Sequence, residues 1–357
     1  KHLVLAQVLR YMGQKDKPYT LVDTHAGAGG YSLASPEAQK KGEFEHGILR
    51  LWDRTDLPAP VADYVALVRA FNPSGGLGRY PGSPEIARQL LRPQDRLRLF
   101  ELHPADVRIL AAHHGERSHT EVHRADGFGA LRSQLPPPSR RGVVLMDPSY
   151  ELKADYGLVV ATVREALQRF AEAVIVVWYP QVGRLESAQL PKRLQSAVNS
   201  AGRLGWLHAR LTVQPPDSRG FGLAGSGVFV INPPWTLRAA LEEALPYLTA
   251  ALAQYPGASH LLEIAFDTLT WQRVHGERLL ARHWDWSRSV STDQGHAALG
   301  EFGDGGLRVI AFHPQAVGGA KRRHLRRPPA TAAQLLETLA RGAVVAVVEL
   351  ALGEQEQ

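Results

Sequence analysis

Y-T-L-V-D-T-H-A-G-A-G-G, residues 19–30, is the stretch from which the architecture can be read. Tyr19 to Asp23 form a short apolar run that closes on an acid, and Gly27, Ala28, Gly29 and Gly30 follow at once. A brief apolar run bounded by turn residues reads as a buried strand. Strand, glycine turn and helix, in that order, open a nucleotide-binding α/β unit. Glycines let the backbone pass close under a ligand and adopt positive φ. The helix expected next would offer free N–H groups and the positive end of its dipole. The loop is not G-x-x-x-x-G-K-[ST], which excludes phosphate cradling of the ATPase kind. A plain tight turn is the competing reading, and the strand before the loop weighs against it.

Working outward, apolar runs recur at α/β spacing. Val61 to Phe71 has the i, i+3, i+4 pattern of an amphipathic helix. The next strand is Arg96 to Glu101, again ending on an acid. In a dinucleotide fold the ribose-binding acid lies about 20 residues beyond the glycine loop. Glu101 lies much further on, so the spacing predicts a helical insertion over 34–95. Strands are expected at 19–23, 96–101, 121–123, 142–147, 174–178, 206–213 and 227–232, with helices over 157–172 and near 191–200. The last two strands lack a helix between them and read as an antiparallel pair. The fold class that follows is α/β: a Rossmann-like class I methyltransferase layout, with a seven-stranded, mostly parallel sheet, a terminal antiparallel hairpin and a small helical insertion. The expected division is 1–33 with 96–260 as the Rossmann-like domain, 34–95 as the insertion and 261–357 as a C-terminal extension of unassigned role.

Composition narrows the chemistry. The 357 residues contain no cysteine, which removes disulfides, thiolate zinc sites and cysteine nucleophiles. Fifteen histidines are present, but none falls in H-E-x-x-H or similar ligand spacing, so no metal is expected. A formal charge of +6 favours a polyanionic partner. The basic run 321–327 (K-R-R-H-L-R-R) is a candidate phosphate contact, although such runs are more often solvated faces. The apolar stretch 342–353 is interrupted by Glu349 and is too short to span a bilayer. The chain opens at Lys1 with no signal-like segment, so a cytoplasmic location is expected.

Four constellations could carry a reaction. Glu101, closing its strand, can accept both ribose hydroxyls of a nucleoside cofactor. Asp126-Gly127 follows a short strand, where an acid can accept from an adenine amine; alone it would read as an ordinary turn. Asp147-Pro148-Ser149-Tyr150 follows the apolar strand directly. An exocyclic adenine amine is a poor nucleophile because its lone pair is delocalised into the ring. Two acceptors on its hydrogens, the Asp147 carboxylate and the Pro148 carbonyl, favour a pyramidal nitrogen. Tyr150 would stack on a base taken out of its helix. Amino-methyltransferases carry [DNS]-P-P-[YFW] here, so Ser149 stands where a second Pro is expected and relaxes the restraint on Pro148. Asn232-Pro233-Pro234-Trp235 matches the pattern without a mismatch. Its place in the terminal hairpin nevertheless favours Asp147.

Several phrases together resemble one family, the bacterial 23S ribosomal RNA adenine-N6 methyltransferases known as RlmJ. They are K-D-K-P-Y (15–19), D-T-H-A-G-A-G (23–29), Y-P-G-S-P (80–84), E-L-H-P (101–104), A-D-G-F (125–128), R-R-G-V-V-L-M-D-P (140–148), W-Y-P (178–180) and S-G-V-F-V-I-N-P-P-W (226–235). The resemblance covers about residues 1–260. It implies S-adenosylmethionine as cofactor, with His2, His25, Ser83, Glu101, Asp126, Gly127 and Asp147 lining its site and Asp147 also catalytic; the glycine-loop reading adds Gly27. It further implies a segment ahead of Lys1-His2 that packs over the cofactor and reaches toward RNA, a monomer, and ribosomal RNA, naked or partly assembled, as partner. Residues 263–357 have no counterpart in it. Two other functions remain open at this point: methylation of adenine N6 in DNA, and RNA binding by a catalytically weak protein that keeps the cofactor fold.

Overall fold

The computed structural model of the chain describes residues 1–115, 118–202, 205–215, 222–267, 297–302, 307–312 and 345–350. It separates into two compact units: Lys1–Gly202 with Leu207–Leu261, and Arg203–Trp206 with Leu262–Gln357. The basic run 321–327 lies outside the described residues.

The first unit opens with α1 (His2–Gly13), β1 (Thr20–Asp23) and β2 (Gly30–Ser32). Four short helices follow: α2 (Pro36–Lys41), α3 (Glu43–His46), α4 (Leu49–Trp52) and α5 (Ala59–Ala70). Then come β3 (Arg79–Pro81), α6 (Ser83–Leu90), β4 (Arg96–Phe100), α7 (Pro104–His114), β5 (Thr120–His123), α8 (Gly127–Gln134) and β6 (Gly142–Met146). The unit continues with α9 (Lys153–Arg169), β7 (Val174–Gln181), α10 (Leu185–Ala201), β8 (Trp206–Thr212), β9 (Gly225–Ile231) and α11 (Trp235–Leu252). The main sheet runs β5-β4-β1-β6-β7-β9-β8. Strands β5, β4, β1, β6 and β7 pair in parallel, and β9 is antiparallel to β7. Every residue of β1 and β6 is buried. Central parallel strands are covered on both faces, which is why they read as unbroken apolar runs.

The expected seven strands are all present, and the count exceeds seven. An eighth long strand, β10 (Ser259–Asp267), follows α11. Its residues Glu263–Asp267 pair antiparallel with β13 (Val345–Leu350) in the second unit. There β11 (Ala297–Phe302), β12 (Leu307–Phe312) and β13 are joined in antiparallel order.

The glycine loop departs from the simple strand–turn–helix order. Residues 30–32 form a strand, β2, which pairs with β3 in a separate two-stranded ribbon. The helices α2 to α5 are spliced in between the two strands of this ribbon. The helix that completes the strand–turn–helix order is α6, and it starts only at Ser83. Two close contacts bring it back to the loop. The Gly82 amide donates to the Gly29 carbonyl (3.0 Å), and a Cβ on Gly82 would lie 2.9 Å from that oxygen.

Helix α1 lies against α5, α6 and α11 and buries one face that includes Leu5, Leu9 and Met12. Its last carbonyls are capped from elsewhere: Arg141 donates to Met12 O (2.8 Å) and Arg92 to Gly13 O (2.9 Å). Carbonyls at a helix end have no intrahelical partner, so these guanidiniums fix where α1 stops. Both also sit 5.9 Å from the Tyr19 ring. The K-D-K-P-Y and R-R-G phrases thus have a packing role, and the opposite end of the pinned helix carries Lys1 and His2.

Candidate active site

Register places the predicted loops on one edge of the sheet. Asp23 is level with Leu99 of β4 and Leu145 of β6, so the glycine loop, Glu101 and Asp147 all leave the carboxyl ends of adjacent parallel strands. Open α/β sheets bind ligands at that edge. The loops are also bonded to each other. Thr24 donates through its amide and its hydroxyl to Leu145 O (both 3.0 Å), and Ala26 N donates to Phe100 O (2.9 Å). The Glu101 carboxylate accepts from Gly27 N (2.8 Å) and from His103 N (2.7 Å).

Asp23 lies beneath this edge with no solvent exposure. Its Oδ2 accepts from the Ser83 hydroxyl at 2.6 Å, which ties β1 to the start of α6 across 60 residues of chain. Burial pushes its carboxyl up to about 6; the Ser83 hydrogen bond and the Lys1 charge pull the other way. With the Thr24 hydroxyl proton given to Leu145 O, His25 Nδ1 donates to Thr24 Oγ1 (2.8 Å), and the ring packs edge-on against Phe128, centroids 4.6 Å apart. Burial lowers its pKa despite the acids around it, Asp147 foremost, so the ring is neutral at neutral pH. His2 is likewise held neutral, by burial and by the adjacent Lys1 charge. Its Nδ1 meets the Tyr80 hydroxyl at 3.2 Å, and its Nε2 is buried with no hydrogen-bond partner among the described residues.

Asp126 is the N-cap of α8 and accepts from Phe128 N (3.1 Å) and Gly129 N (3.2 Å). Gly127 lies so close to the glycine loop that a Cβ would fall 2.6 Å from the Thr24 carbonyl carbon. The Asp126-Gly127 turn is therefore held against the loop that follows β1.

The Asp147 turn is braced from three sides. Lys1 Nζ forms an ion pair with Asp147 Oδ2. Burial alone would lower the Lys1 ammonium; the charge and hydrogen bond of Asp147, with Asp23 behind them, outweigh it, and the pKa is raised. Arg184 donates to Tyr150 O (2.9 Å) and Glu151 O (3.0 Å). Tyr150 takes a positive φ of 55°, and its hydroxyl donates to Trp178 O at 2.6 Å. The Tyr150 ring is only 3% exposed and packs against Tyr156 at 4.6 Å between centroids. In this conformation it lies beneath the turn and offers no open face for stacking. Pro148 is buried and Ser149 exposed.

The competing motif is far from this edge. Strand β9 ends at Ile231, opposite Ile175 at the start of β7. Asp147 instead follows Met146, which is level with Val177. Asn232 thus sits at the opposite edge of the sheet, about 10–15 Å away along the strands. Its side-chain amide donates to Ala171 O (2.6 Å) and Ala173 O (2.9 Å), and its φ is +51°. It anchors a loop. Lys1 is the site residue that sequence reasoning did not single out. Its position directly before His2, at the start of an amphipathic helix, was the available signal.

The geometry also matches known proteins. The model of the family described as ribosomal RNA large subunit methyltransferase D, RlmJ, matches residues 16–263. The chain belongs to this family. It is 45% identical over 252 residues to ribosomal RNA large subunit methyltransferase J of Escherichia coli (strain K12), covering 71% of this chain and 88% of that protein. The same name and the same coverage apply to a relative from Haemophilus influenzae, 45% identical over 253 residues. Among solved structures, protein LPL1258 from Legionella pneumophila is similar at 32% identity, with a TM-score of 0.65 over 73% of this chain and 94% of its own. The RlmJ match ends near the boundary between the two units. Among the described residues no helix is long and apolar enough to cross a membrane.

Proposed function

We propose that the chain transfers a methyl group from S-adenosylmethionine to the N6 amine of an adenine in 23S ribosomal RNA. The observation that carries this reading is positional: the D-P-S-Y turn leaves β6 at the same sheet edge as the glycine loop and Glu101, in a chain belonging to the RlmJ family.

The residues present fit a nucleoside cofactor. A carboxylate closes β4 with an oxygen on the Gly27 amide, Gly27 itself has no side chain and a positive φ of 63°, and His2 Nε2 is a buried polar atom without a hydrogen-bond partner among the described residues. Glu101 would hold the ribose hydroxyls, Asp126 and Gly127 the adenine end, and His2, His25, Ser83 and Asp147 the remainder. When bound, S-adenosylmethionine supplies a methyl group made electrophilic by its sulfonium.

The protein's part is to prepare the nucleophile. Asp147 accepts one hydrogen of the target N6 amine and the Pro148 carbonyl accepts the other. This localises the nitrogen lone pair toward the methyl group. A nitrogen that gains a methyl group must shed one proton, and Asp147 would be the adjacent acceptor. Lys1 occupies Asp147 Oδ2, which leaves Oδ1 to face the amine. Arg184 and the Tyr150–Trp178 bond keep the turn from shifting. Stacking of Tyr150 on the target base would require its ring to leave Trp178 O and come out from under the turn. The substrate is naked or partly assembled ribosomal RNA, because a base must be unstacked before N6 can enter. Single-turnover methylation of RNA and DNA oligonucleotides of one sequence tests the substrate class. RNA is expected to react at least about 100-fold faster; an equal or faster DNA reaction overturns the RNA assignment.

A further inference from the structure

Tyr31 has no role in the chemistry above, yet its side chain lies inside the site. It is the middle residue of β2 and stands directly opposite Tyr80 of β3. Residues directly opposed across an antiparallel pair share a face. Tyr80 uses that face to meet His2 Nδ1 (3.2 Å) and the Tyr64 hydroxyl (2.6 Å), so Tyr31 looks the same way. Tyr31 is 48% exposed. A half-exposed tyrosine on a surface ribbon would ordinarily keep its hydroxyl in water. Here the hydroxyl folds back onto the glycine loop: a Cβ placed on Gly27 would collide with it, and would lie 3.7 Å from the ring carbon Cζ. Burial raises the pKa of this phenol, and the charges of Lys1 and Asp147 act on it. The glycine that lets a ligand approach the backbone is thus covered by the protein's own side chain.

We propose that Tyr31 is a gate of the cofactor site, its phenol filling the cradle over Gly27 in the free protein, swinging out to admit the cofactor and closing over it once bound. This rests on the S-adenosylmethionine reading given above. The ribbon makes the motion local. Tyr31 is half exposed, so rotation about its own side-chain bonds clears Gly27 without moving β2. A state that blocks the site lowers the apparent association rate by the fraction of time it is closed. A ring that closes over the bound ligand slows release. Both effects belong to one side chain, and removing it should raise both rates.

The test is stopped-flow binding of S-adenosylmethionine, and separately of S-adenosylhomocysteine, to the full chain and to Tyr31→Ala and Tyr31→Phe. Equal far-UV circular dichroism and melting temperature establish that the variants fold. Tyr31→Ala is expected to raise the association rate at least about threefold and the dissociation rate about tenfold. Tyr31→Phe keeps the ring, so its dissociation rate should stay within about twofold of the parent. Unchanged rates in Tyr31→Ala overturn the gate. A change in dissociation alone also overturns it, because Tyr31 would then be a fixed wall. Failure of the parent chain to bind either ligand overturns the cofactor reading instead.

Discussion

Gly127→Ala tests whether the Asp126-Gly127 turn and the glycine loop are built as one piece. A Cβ at Gly127 would lie 2.6 Å from the Thr24 carbonyl carbon and 2.7 Å from its Cα, where ordinary contact is 3.4–4 Å. Both obstacles are backbone, so the strain cannot be relieved by turning a side chain, and one loop must move by about 1 Å. Overpacking of this kind costs about 1–3 kcal/mol. The helix preference of Ala over Gly returns only about 0.5–1 kcal/mol. The net expectation is a loss of roughly 1–2 kcal/mol, a melting temperature lower by about 2–8 °C, and cofactor binding weakened about tenfold or more as Asp126 is displaced. Gly157→Ala is the matched control. It lies within α9, and its Cβ would meet nothing within 4 Å. That variant should gain about 0.5–1 kcal/mol. Thermal melts and calorimetric titration with S-adenosylhomocysteine read both quantities. A Gly127→Ala protein that melts and binds like the parent would refute the shared-backbone reasoning.

Three further outcomes follow from the same geometry. Asn232→Ala removes two hydrogen bonds to Ala171 O and Ala173 O and puts Ala at a φ of +51°, so denaturant titration should show a loss of about 1–3 kcal/mol with cofactor affinity unchanged; weaker cofactor binding would return this motif to the active site. Burial raises the Asp23 carboxyl to about 6 from an ordinary 3.8, so its contribution is present below pH 4 and lost as pH rises through 6. That is about 3 kcal/mol, and Asp23→Asn should flatten the stability profile between those values; an unchanged profile contradicts the assignment. Ser149→Pro should restrain Pro148 in extended backbone and raise the methyl-transfer rate about three- to tenfold, whereas a slower variant would show that the turn depends on Ser149.

Much of the architecture was legible because the strands are short, apolar and buried on both faces. β1 and β6 read directly, and their register brought Asp147, Glu101 and the glycine loop to one edge. The ribbon β2–β3 could not be read, since three-residue strands show no periodicity, and with it went the displacement of the loop's helix to Ser83. The choice between Asp147 and Asn232 rested on chain order, and strand direction supplies its physical reason: β9 runs against β7, which carries Asn232 to the far edge. The side of the turn on which Tyr150 lies depends on a positive φ that no residue pattern announces. Lys1 was hidden for a related reason. Its partner is Asp147, brought near only when α1 packs across the domain and is pinned at its far end by Arg92 and Arg141.

The most direct test of the central claim is transfer of tritium from methyl-labelled S-adenosylmethionine to protein-free 23S ribosomal RNA, with Asp147→Ala in parallel. The account predicts RNA-bound label that digests to N6-methyladenosine and falls at least about 100-fold in the variant. Label on another nucleoside, or equal transfer by Asp147→Ala, would contradict it.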